Sequence, residues 1–82
     1  RMVRRFLEYS LRRGRAVKLV WLAEGGMKSG GVRVIRLGDT DFDYLPARGK
    51  TPRTMRVEDV LSAAYARGDD GSLEPDDERE AD

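Results

Sequence analysis

Cysteine and histidine are both absent from this 82-residue chain, and aromatic residues make up only 7% of it. Without cysteine there is neither a disulfide nor a thiolate, which is consistent with a reducing, cytoplasmic environment. Without histidine the chain lacks the most frequent general base and metal ligand. No run approaches about 18 consecutive apolar residues, so we expect no membrane-spanning helix. The length suits a single domain with a small core.

The charges that are present are unevenly distributed. Residues 1–67 carry 15 Lys or Arg against seven Asp or Glu, a net +8, whereas residues 68–82 carry eight acids against one arginine, a net −7. Of the 16 cations, 13 are arginine, whose planar guanidinium suits phosphate and carboxylate. Low hydrophobicity and dense acid predict a disordered tail. We therefore expect a basic body over residues 1–67 and an acidic, disordered tail over 68–82, free to fold back over the basic face.

Helical periodicity is clearest at the beginning of the chain. Residues 2–13 place one set of mostly apolar side chains at helical spacing: Val3, Phe6, Leu7, Ser10 and Leu11. Arginines occupy the other side, and Gly14 follows as a residue that can end a helix. This pattern predicts an amphipathic helix whose apolar face covers a small sheet rather than a membrane surface.

Strand-forming residues dominate from residue 16 to residue 57. Strands are predicted over residues 16–23, 32–37, 42–47 and 53–57. The first is apolar on both faces and therefore predicted to be interior, and the four glycines of 24–31 predict a flexible connector after it. Alternation in the second puts Arg36 on the face of Val32 and Val34, and Pro46 predicts an edge strand or a strand end. Residues 58–67 match both a helix and a closing strand. The order suggests a small, curled antiparallel sheet capped by one helix.

Metal and catalytic chemistry find little support in the sequence. Asp39, Asp41 and Asp43 alternate, but the glycine and glutamate that a calcium loop of this spacing needs are Tyr44 and Lys50. Nothing marks a Ser–Lys or carboxylate nucleophile. We therefore predict no catalytic residue, no metal site, no cofactor and no enzyme.

The basic sheet with its aromatic flank is the remaining candidate site. Arg53 and Arg56 face opposite sides of an ideal strand, but Arg56 can turn to the rim of Arg53 if the strand ends near Val57. Tyr44 is the candidate ring for stacking. Three further cations are candidates for the same surface: Arg33, Arg48 and Lys50. Cations and rings together bind single-stranded nucleic acid. The spacing alone, however, favours a solvated face whose arginine stems cover apolar surface.

A family resemblance adds to this interpretation. Residues 44–47 (YLPA) and 52–61 (PRTMRVEDVL) resemble the WYL domain, whose Trp-Tyr-Leu strand precedes a run of the form Arg-x-Phe-Arg-Leu-Asp-Arg-Ile. Residues 10–21 resemble the end of its opening helix and its first strand, and 33–37 its second strand. The resemblance covers about residues 8–67.

The resemblance implies a fold similar to Sm-like, SH3-type small barrels, mainly β with one N-terminal helix and about five strands. It also implies a helical turn at 58–60 and a closing strand over 61–67. The pattern differs at two places near the site: Asp43 replaces the tryptophan, which puts an acid near any bound phosphate, and Asp59 replaces the final arginine.

WYL domains usually accompany helix-turn-helix modules in bacterial transcription regulators and are thought to sense a ligand through the tyrosine and two arginines, here Tyr44, Arg53 and Arg56. We therefore expect a non-enzymatic sensor or accessory domain that binds a negatively charged ligand, either single-stranded nucleic acid or a nucleotide. Its expected partner is a helix-turn-helix regulator or a second copy of the chain. The alternative is an interaction or oligomerisation module with structural arginines, in which strand 42–47 offers an unpaired edge.

Overall fold

The computed structural model of the chain describes residues 2–72. One helix is followed by five strands, with a single 3-10 turn, Val57–Asp59, before the last strand. The elements are α1 (Val3–Arg13), β1 (Val17–Ala23), β2 (Gly26–Leu37), β3 (Asp41–Pro46), β4 (Arg53–Arg56) and β5 (Val60–Tyr65). The predicted class, mainly β with one N-terminal helix, is therefore confirmed, as is the helical turn before a closing strand.

The five strands form one antiparallel sheet in the order β4-β3-β2-β1-β5. The sheet is compact but not closed, because β4 and β5 are its edges and do not pair with each other within residues 2–72. The interior position predicted for β1 is confirmed. The unpaired edge predicted for β3 is wrong, since β3 lies between β2 and β4, and Pro46 instead marks the end of β3.

The predicted flexible connector over residues 24–31 is also wrong. Glu24 and Gly25 form a two-residue turn, and β2 begins at Gly26, which lies opposite Ala23. Gly25 and Gly26 have φ values of 91° and 128°, which side-chain-bearing residues rarely adopt. The glycines therefore make a tight hairpin, and β2 runs for 12 residues instead of six.

Helix α1 ends as the sequence indicates. Gly14 adopts the left-handed conformation at φ 65°, and its N–H donates to the Ser10 carbonyl oxygen at 2.9 Å, which terminates the helix. The helix packs mainly on β2 and β5. No helix in the described part of the chain has the length and apolar content needed to cross a bilayer.

The core lies between α1 and one face of the sheet. We call this the inner face and the opposite one the outer face. Each strand contributes buried side chains to the inner face: Val17, Leu19, Val32, Val34, Phe42, Tyr44, Met55 and Val60. Burial of such side chains is the main favourable contribution to folding.

A β-bulge in β2 changes which side chains reach the core. Val34 lies opposite Tyr44, but Arg36 lies opposite Asp43, so Ile35 is an extra residue in β2. Beyond the bulge the alternation is shifted by one residue. Leu37 therefore packs against the core and Arg36 turns to the outer face. The prediction that Arg36 shares a face with Val34 is wrong because simple alternation does not include an inserted residue.

The hydroxyl of Ser10 joins α1 to the sheet beside this bulge. Its Oγ accepts a hydrogen bond from the Val34 N–H at 2.9 Å and donates to the Arg15 carbonyl oxygen at 2.6 Å. Continued beyond the first residue of β1, the pairing of Val17 with Val32 would put Arg15 opposite Val34. The fully buried hydroxyl therefore bridges two backbone groups that would otherwise pair directly or remain unsatisfied.

The beginning of the predicted tail is held against α1. The buried Tyr9 donates its hydroxyl to Asp69 Oδ2 at 2.7 Å, and Arg15 Nε lies 3.4 Å from the same oxygen. Gly71 donates its N–H to Asp69 Oδ1 at 2.8 Å, and its backbone lies directly on the Tyr65 ring. Residues 68–72 therefore lie against α1 and Tyr65, and residues 73–82, the rest of the tail predicted to be disordered, lie outside the described part of the chain.

Hydrogen bonds perturb both members of the Tyr9–Asp69 pair. The hydrogen bond from Tyr9, followed by that from the Gly71 N–H, lowers the pKa of Asp69 below its ordinary value of 3.8. Burial, followed by the hydrogen bond to Asp69, raises the pKa of Tyr9 above its ordinary value of 10.0. The pair therefore favours a charged carboxylate beside a neutral phenol.

We predict that Ser10→Ala lowers the free energy of unfolding by about 1–3 kcal/mol, because it leaves the Val34 N–H and the Arg15 carbonyl without their shared partner. Urea denaturation at neutral pH measures the change. Ser62→Ala, on the exposed side of β5, is the control, and we expect it to change the free energy by less than about 0.5 kcal/mol. Equal losses in the two variants would contradict the bridging role of Ser10.

We predict that Asp69→Asn reduces the acid sensitivity of the fold. Since the folded-state pKa of Asp69 is lowered, its ionisation stabilises the protein at pH values above the ordinary 3.8, and this contribution is lost as the pH falls through the folded pKa. The difference in unfolding free energy between wild type and Asp69→Asn should be greatest near pH 7 and shrink below about pH 4. Urea midpoints across this range measure it. A constant difference from pH 7 to pH 2.5 would show that the charge of Asp69 contributes nothing.

Candidate functional site

An open groove of about 410 Å³ lies on the inner face of the sheet, next to the residues that α1 covers. All strands except β5 contribute to it, together with the β3–β4 loop. Its lining consists of Trp21, Ser29, Gly30, Gly31, Val32, Tyr44, Pro46, Ala47, Arg48 and Arg53. Its volume is within the range of small-molecule sites, about 300–1,000 Å³.

Glycine in β2 opens the floor of the groove. Gly30 lies opposite Leu19 on the inner face, so its missing side chain leaves space where every neighbouring strand position has one. A Cβ placed on Gly30 would lie 3.7 Å from the Trp21 ring. The adjacent Gly31 lies opposite the exposed Lys18 and would point its Cβ to the outer face, 3.6 Å from Ala47. Only the first glycine therefore creates volume in the groove.

Trp21 forms one wall of the groove. It follows Val17 and Leu19 on the inner face but is only half-buried, because Gly30 leaves one side of its ring without a side-chain neighbour. Strand alternation from Val17 and Leu19 puts Trp21 on this face, but it was not among the predicted site residues. The sequence feature that could have identified it is the glycine-rich segment 24–31. If that segment is taken as a strand paired with β1, its glycines leave space beside the Trp21 ring.

Tyr44 lies in the floor of the groove rather than on its rim. It is directly opposite Arg53 on β4, and its ring centroid is 5.8 Å from that of Phe42. Only 6% of the residue is exposed, so the ring offers no open face on which a base could stack. The expected stacking platform at Tyr44 is therefore absent, and Trp21 is the aromatic residue of the groove with an accessible surface.

Two guanidinium groups supply the charge of the groove. Arg53 shares the inner face with Tyr44, and Arg48 lies in the β3–β4 loop. Both are exposed, and neither has a hydrogen-bonded or ionic partner within residues 2–72. No acidic residue is part of the lining. The groove therefore carries uncompensated positive charge next to an aromatic wall.

Arg56 lies on the opposite face of the sheet. It is opposite Asp41, and its guanidinium lies 2.6 Å from the Glu58 carboxylate. The two side chains line a separate recess of about 250 Å³ together with Asp39, Thr40 and Val57. The expected convergence of Arg56 with Arg53 is wrong, since β4 keeps strand geometry through Arg56 and residues three apart face opposite sides.

The two remaining candidate cations are also outside the groove lining. Arg33 lies opposite Leu45 and points to the outer face, because its neighbour Val34 points inward. Lys50 is exposed in the β3–β4 loop and does not contribute to the groove wall. Of the six candidate residues, the groove brings together three, namely Tyr44, Arg48 and Arg53.

Asp43 is held on the outer face. Arg36 donates to Asp43 at 2.8 Å and to Asp41 at 3.0 Å, and Thr54 donates to Asp43 at 2.7 Å. The hydrogen bond from Arg36, followed by that from Thr54, lowers the pKa of Asp43 below its ordinary range. The acid that we expected near the anion site is therefore on the other side of the sheet.

The same network gives Asp41 and Asp43 an ordinary structural role. Both carboxylates accept hydrogen bonds from Arg36, and the pKa of Arg36 is raised by these bonds, that to Asp43 first. Among residues 2–72, no group of three or more His, Cys, Asp or Glu side chains is arranged to hold a metal ion.

The groove combines groups that can hold an anion and a planar ring. Guanidinium groups hold phosphate or carboxylate through paired N–H donors, and an indole ring stacks on other rings. Ser29 is the only serine of the lining, and no basic or acidic side chain other than the two arginines accompanies it there. Comparison of the chain with family models, curated proteins and solved structures gave no match.

Proposed function

We propose that this protein is a non-enzymatic, WYL-like sensor or accessory domain that binds a negatively charged, ring-containing ligand, either single-stranded nucleic acid or a nucleotide. The proposed site is the groove between Trp21 and Arg53, with Arg48 at its rim. The motif resemblance supports this proposal through Tyr44 and Arg53, which are neighbours across β3 and β4.

The observation that carries the proposal is the contrast between the two arginines of β4. Arg56 is paired with Glu58 and lies near Asp39 and Asp41, so its charge is already balanced. Arg53 has no anionic partner among the described residues and borders a groove without acids. A cation placed in a concave site without a counter-charge attracts anions.

The size and walls of the groove indicate what kind of anion fits. A bare phosphate would leave most of about 410 Å³ unfilled. A nucleotide brings a planar ring for the Trp21 wall and a phosphate for the guanidinium groups. Ring stacking and phosphate contacts are the two interactions that single-stranded nucleic acid uses with proteins. We therefore favour nucleic acid or a nucleotide over a simple inorganic anion.

Arg56 takes a different role in this proposal. Its ion pair with Glu58 joins the end of β4 to the 3-10 turn that leads into β5. In this proposal Arg53, the first arginine of the motif, binds the ligand, and Arg56, the second, stabilises this turn.

We predict that Arg53→Ala weakens oligonucleotide binding and that Arg56→Ala does not. If Arg53 neutralises one phosphate, its loss should reduce the slope of log K against log salt by about 0.7. Anisotropy titrations of a labelled single-stranded oligonucleotide at several salt concentrations measure both quantities. The two variants are matched, since each removes one arginine from the same strand.

The matched pair also excludes a general charge effect. Equal weakening in both variants would mean that net charge alone attracts the oligonucleotide. Equal binding in all three proteins would contradict a role for Arg53. A nucleoside monophosphate added as a competitor distinguishes a nucleotide ligand, which displaces the oligonucleotide efficiently, from a longer strand, which is displaced only weakly.

We predict that Gly30→Val blocks the groove while Gly31→Val leaves it open. Trp21 is the only tryptophan of the chain, so quenching of its fluorescence reports ligand binding in the groove directly. Loss of one stacked base costs about 1–3 kcal/mol, which is roughly a 5- to 150-fold decrease in affinity. Gly31→Val adds the same atoms to the outer face and is the control. Unchanged quenching in Gly30→Val, with a melting temperature like that of the wild type, would contradict the proposed site.

A further inference from the structure

The first half of β2 has an open edge beside the groove. Strand β3 ends at Pro46, opposite Val32, so it covers β2 only from Val32 onward. Residues 26–31 pair with β1 on one side and with no strand on the other side within residues 2–72. We call the space beside them, beyond the end of β3, the notch. The groove includes the notch, since residues 29–31 belong to its lining.

The hydrogen bond that closes the end of β3 shows which backbone groups of β2 face the notch. Ala47 donates its N–H to the Gly31 carbonyl oxygen at 2.9 Å, so the backbone groups of Gly31 point away from β1. Successive residues of a strand inside an antiparallel sheet direct their N–H and C=O groups to opposite neighbours. The backbone groups of Ser29 therefore also face the notch, whereas those of Gly30 face β1, where Gly30 pairs with Leu19.

Two of the groups that face the notch are unpaired. The Ser29 carbonyl oxygen accepts no hydrogen bond within residues 2–72, and the Gly31 N–H donates none there. Ser29 lies opposite Val20, which directs its side chain to the outer face. Its main chain, and not its hydroxyl, therefore faces the groove. The notch thus presents one acceptor and one donor on a single strand edge.

We propose that the Ser29 carbonyl oxygen and the Gly31 N–H bind the Watson–Crick edge of a nucleobase. This inference rests on the proposed function and adds how the base, in addition to the phosphate, is recognised. Each nucleobase has a donor and an acceptor next to each other on this edge, and proteins that recognise single strands form hydrogen bonds to it. The main-chain pair of the notch is complementary to that arrangement.

The indole and one guanidinium group lie where such a base needs them. The Trp21 ring lies 3.7 Å from the Cβ position of Gly30, the residue between the two main-chain groups, so a base in the notch lies next to this ring. The sugar of a nucleotide is attached on the side away from the Watson–Crick edge. Its phosphate therefore points away from β2, towards the β3–β4 loop, where Arg48 lines the groove.

This contact makes the site selective for unpaired bases. In a duplex the Watson–Crick edge of each base is already occupied, so a paired base cannot bind the Ser29 and Gly31 backbone groups. A site that holds a base through hydrogen bonds also rejects a base of similar shape that lacks the partner groups, because its own polar groups are then left unpaired.

Oligonucleotides with blocked Watson–Crick edges test the proposal on the full chain. We compare labelled single-stranded oligo(dA) with its 1,N6-etheno derivative and oligo(dT) with its N3-methyl derivative, in anisotropy titrations. Each derivative keeps the ring, sugar and phosphate of its parent but loses a donor or acceptor of the edge. We expect the derivative of the tighter-binding parent to bind about tenfold more weakly or worse, as the loss of a hydrogen bond predicts.

The outcomes separate this inference from the proposed function. Equal affinity of each derivative and its parent, with binding that still depends on Arg53, would overturn the base contact and leave the proposed function standing. If neither parent binds, or if binding is unchanged in Arg53→Ala, the proposed function fails and the base contact fails with it.

Amide hydrogen exchange measured by NMR examines the proposed donor directly. In the free protein the Gly31 N–H should exchange faster than the Gly30 N–H, which faces β1. With the tighter-binding oligonucleotide present at saturation, we expect exchange at Gly31 to slow about tenfold or more, since a hydrogen-bonded amide is protected. The Gly30 amide is the internal control. Unchanged exchange at Gly31 on binding would overturn the proposal.

Discussion

The hydroxyl of Ser10 is the contact on which the arrangement of helix and sheet depends. It accepts a hydrogen bond from the Val34 N–H and donates one to the Arg15 carbonyl oxygen. One buried side chain thus satisfies a backbone group just before β1 and another in β2. The helix, the turn after it and the bulged part of β2 are thereby joined in one place. In a small domain, where about 40% of the unfolded surface remains exposed after folding, losing such a contact leaves two backbone groups unsatisfied and costs about 1–3 kcal/mol.

The bulge at Ile35 then separates the charges of the sheet. It turns Arg36 to the outer face, where Asp41 and Asp43 bind it. The inner face keeps its cations at the open end of the core, without acids in the groove lining. One inserted residue thus pairs Arg36 with two carboxylates of the outer face, while the groove lining holds two arginines and no acid. This distribution is the physical basis of the proposed preference for anions.

The sequence predicts best those features that neighbouring residues decide. The amphipathic helix ends at Gly14 as expected, and the strands lie near their predicted positions. The errors arose where a glycine or a proline is compatible with more than one local structure. The glycines of 24–31 form a hairpin turn and part of β2 instead of a flexible connector. Pro46 ends a strand that is interior to the sheet instead of marking an edge strand. Trp21 was missed as a groove wall because its exposure depends on Gly30, which comes beside its ring only in the folded sheet.

The sequence by itself determined the mainly β class, the N-terminal helix and the basic body with its acidic tail, because composition and local periodicity encode them. Only the tertiary structure decided which cations are free. Arg53 and Arg56 have similar sequence surroundings, but cross-strand register places one beside Tyr44 and the other beside Asp41. Register depends on contacts between residues far apart in the chain and on inserted residues such as Ile35, and a change of one residue reverses the face of every side chain that follows.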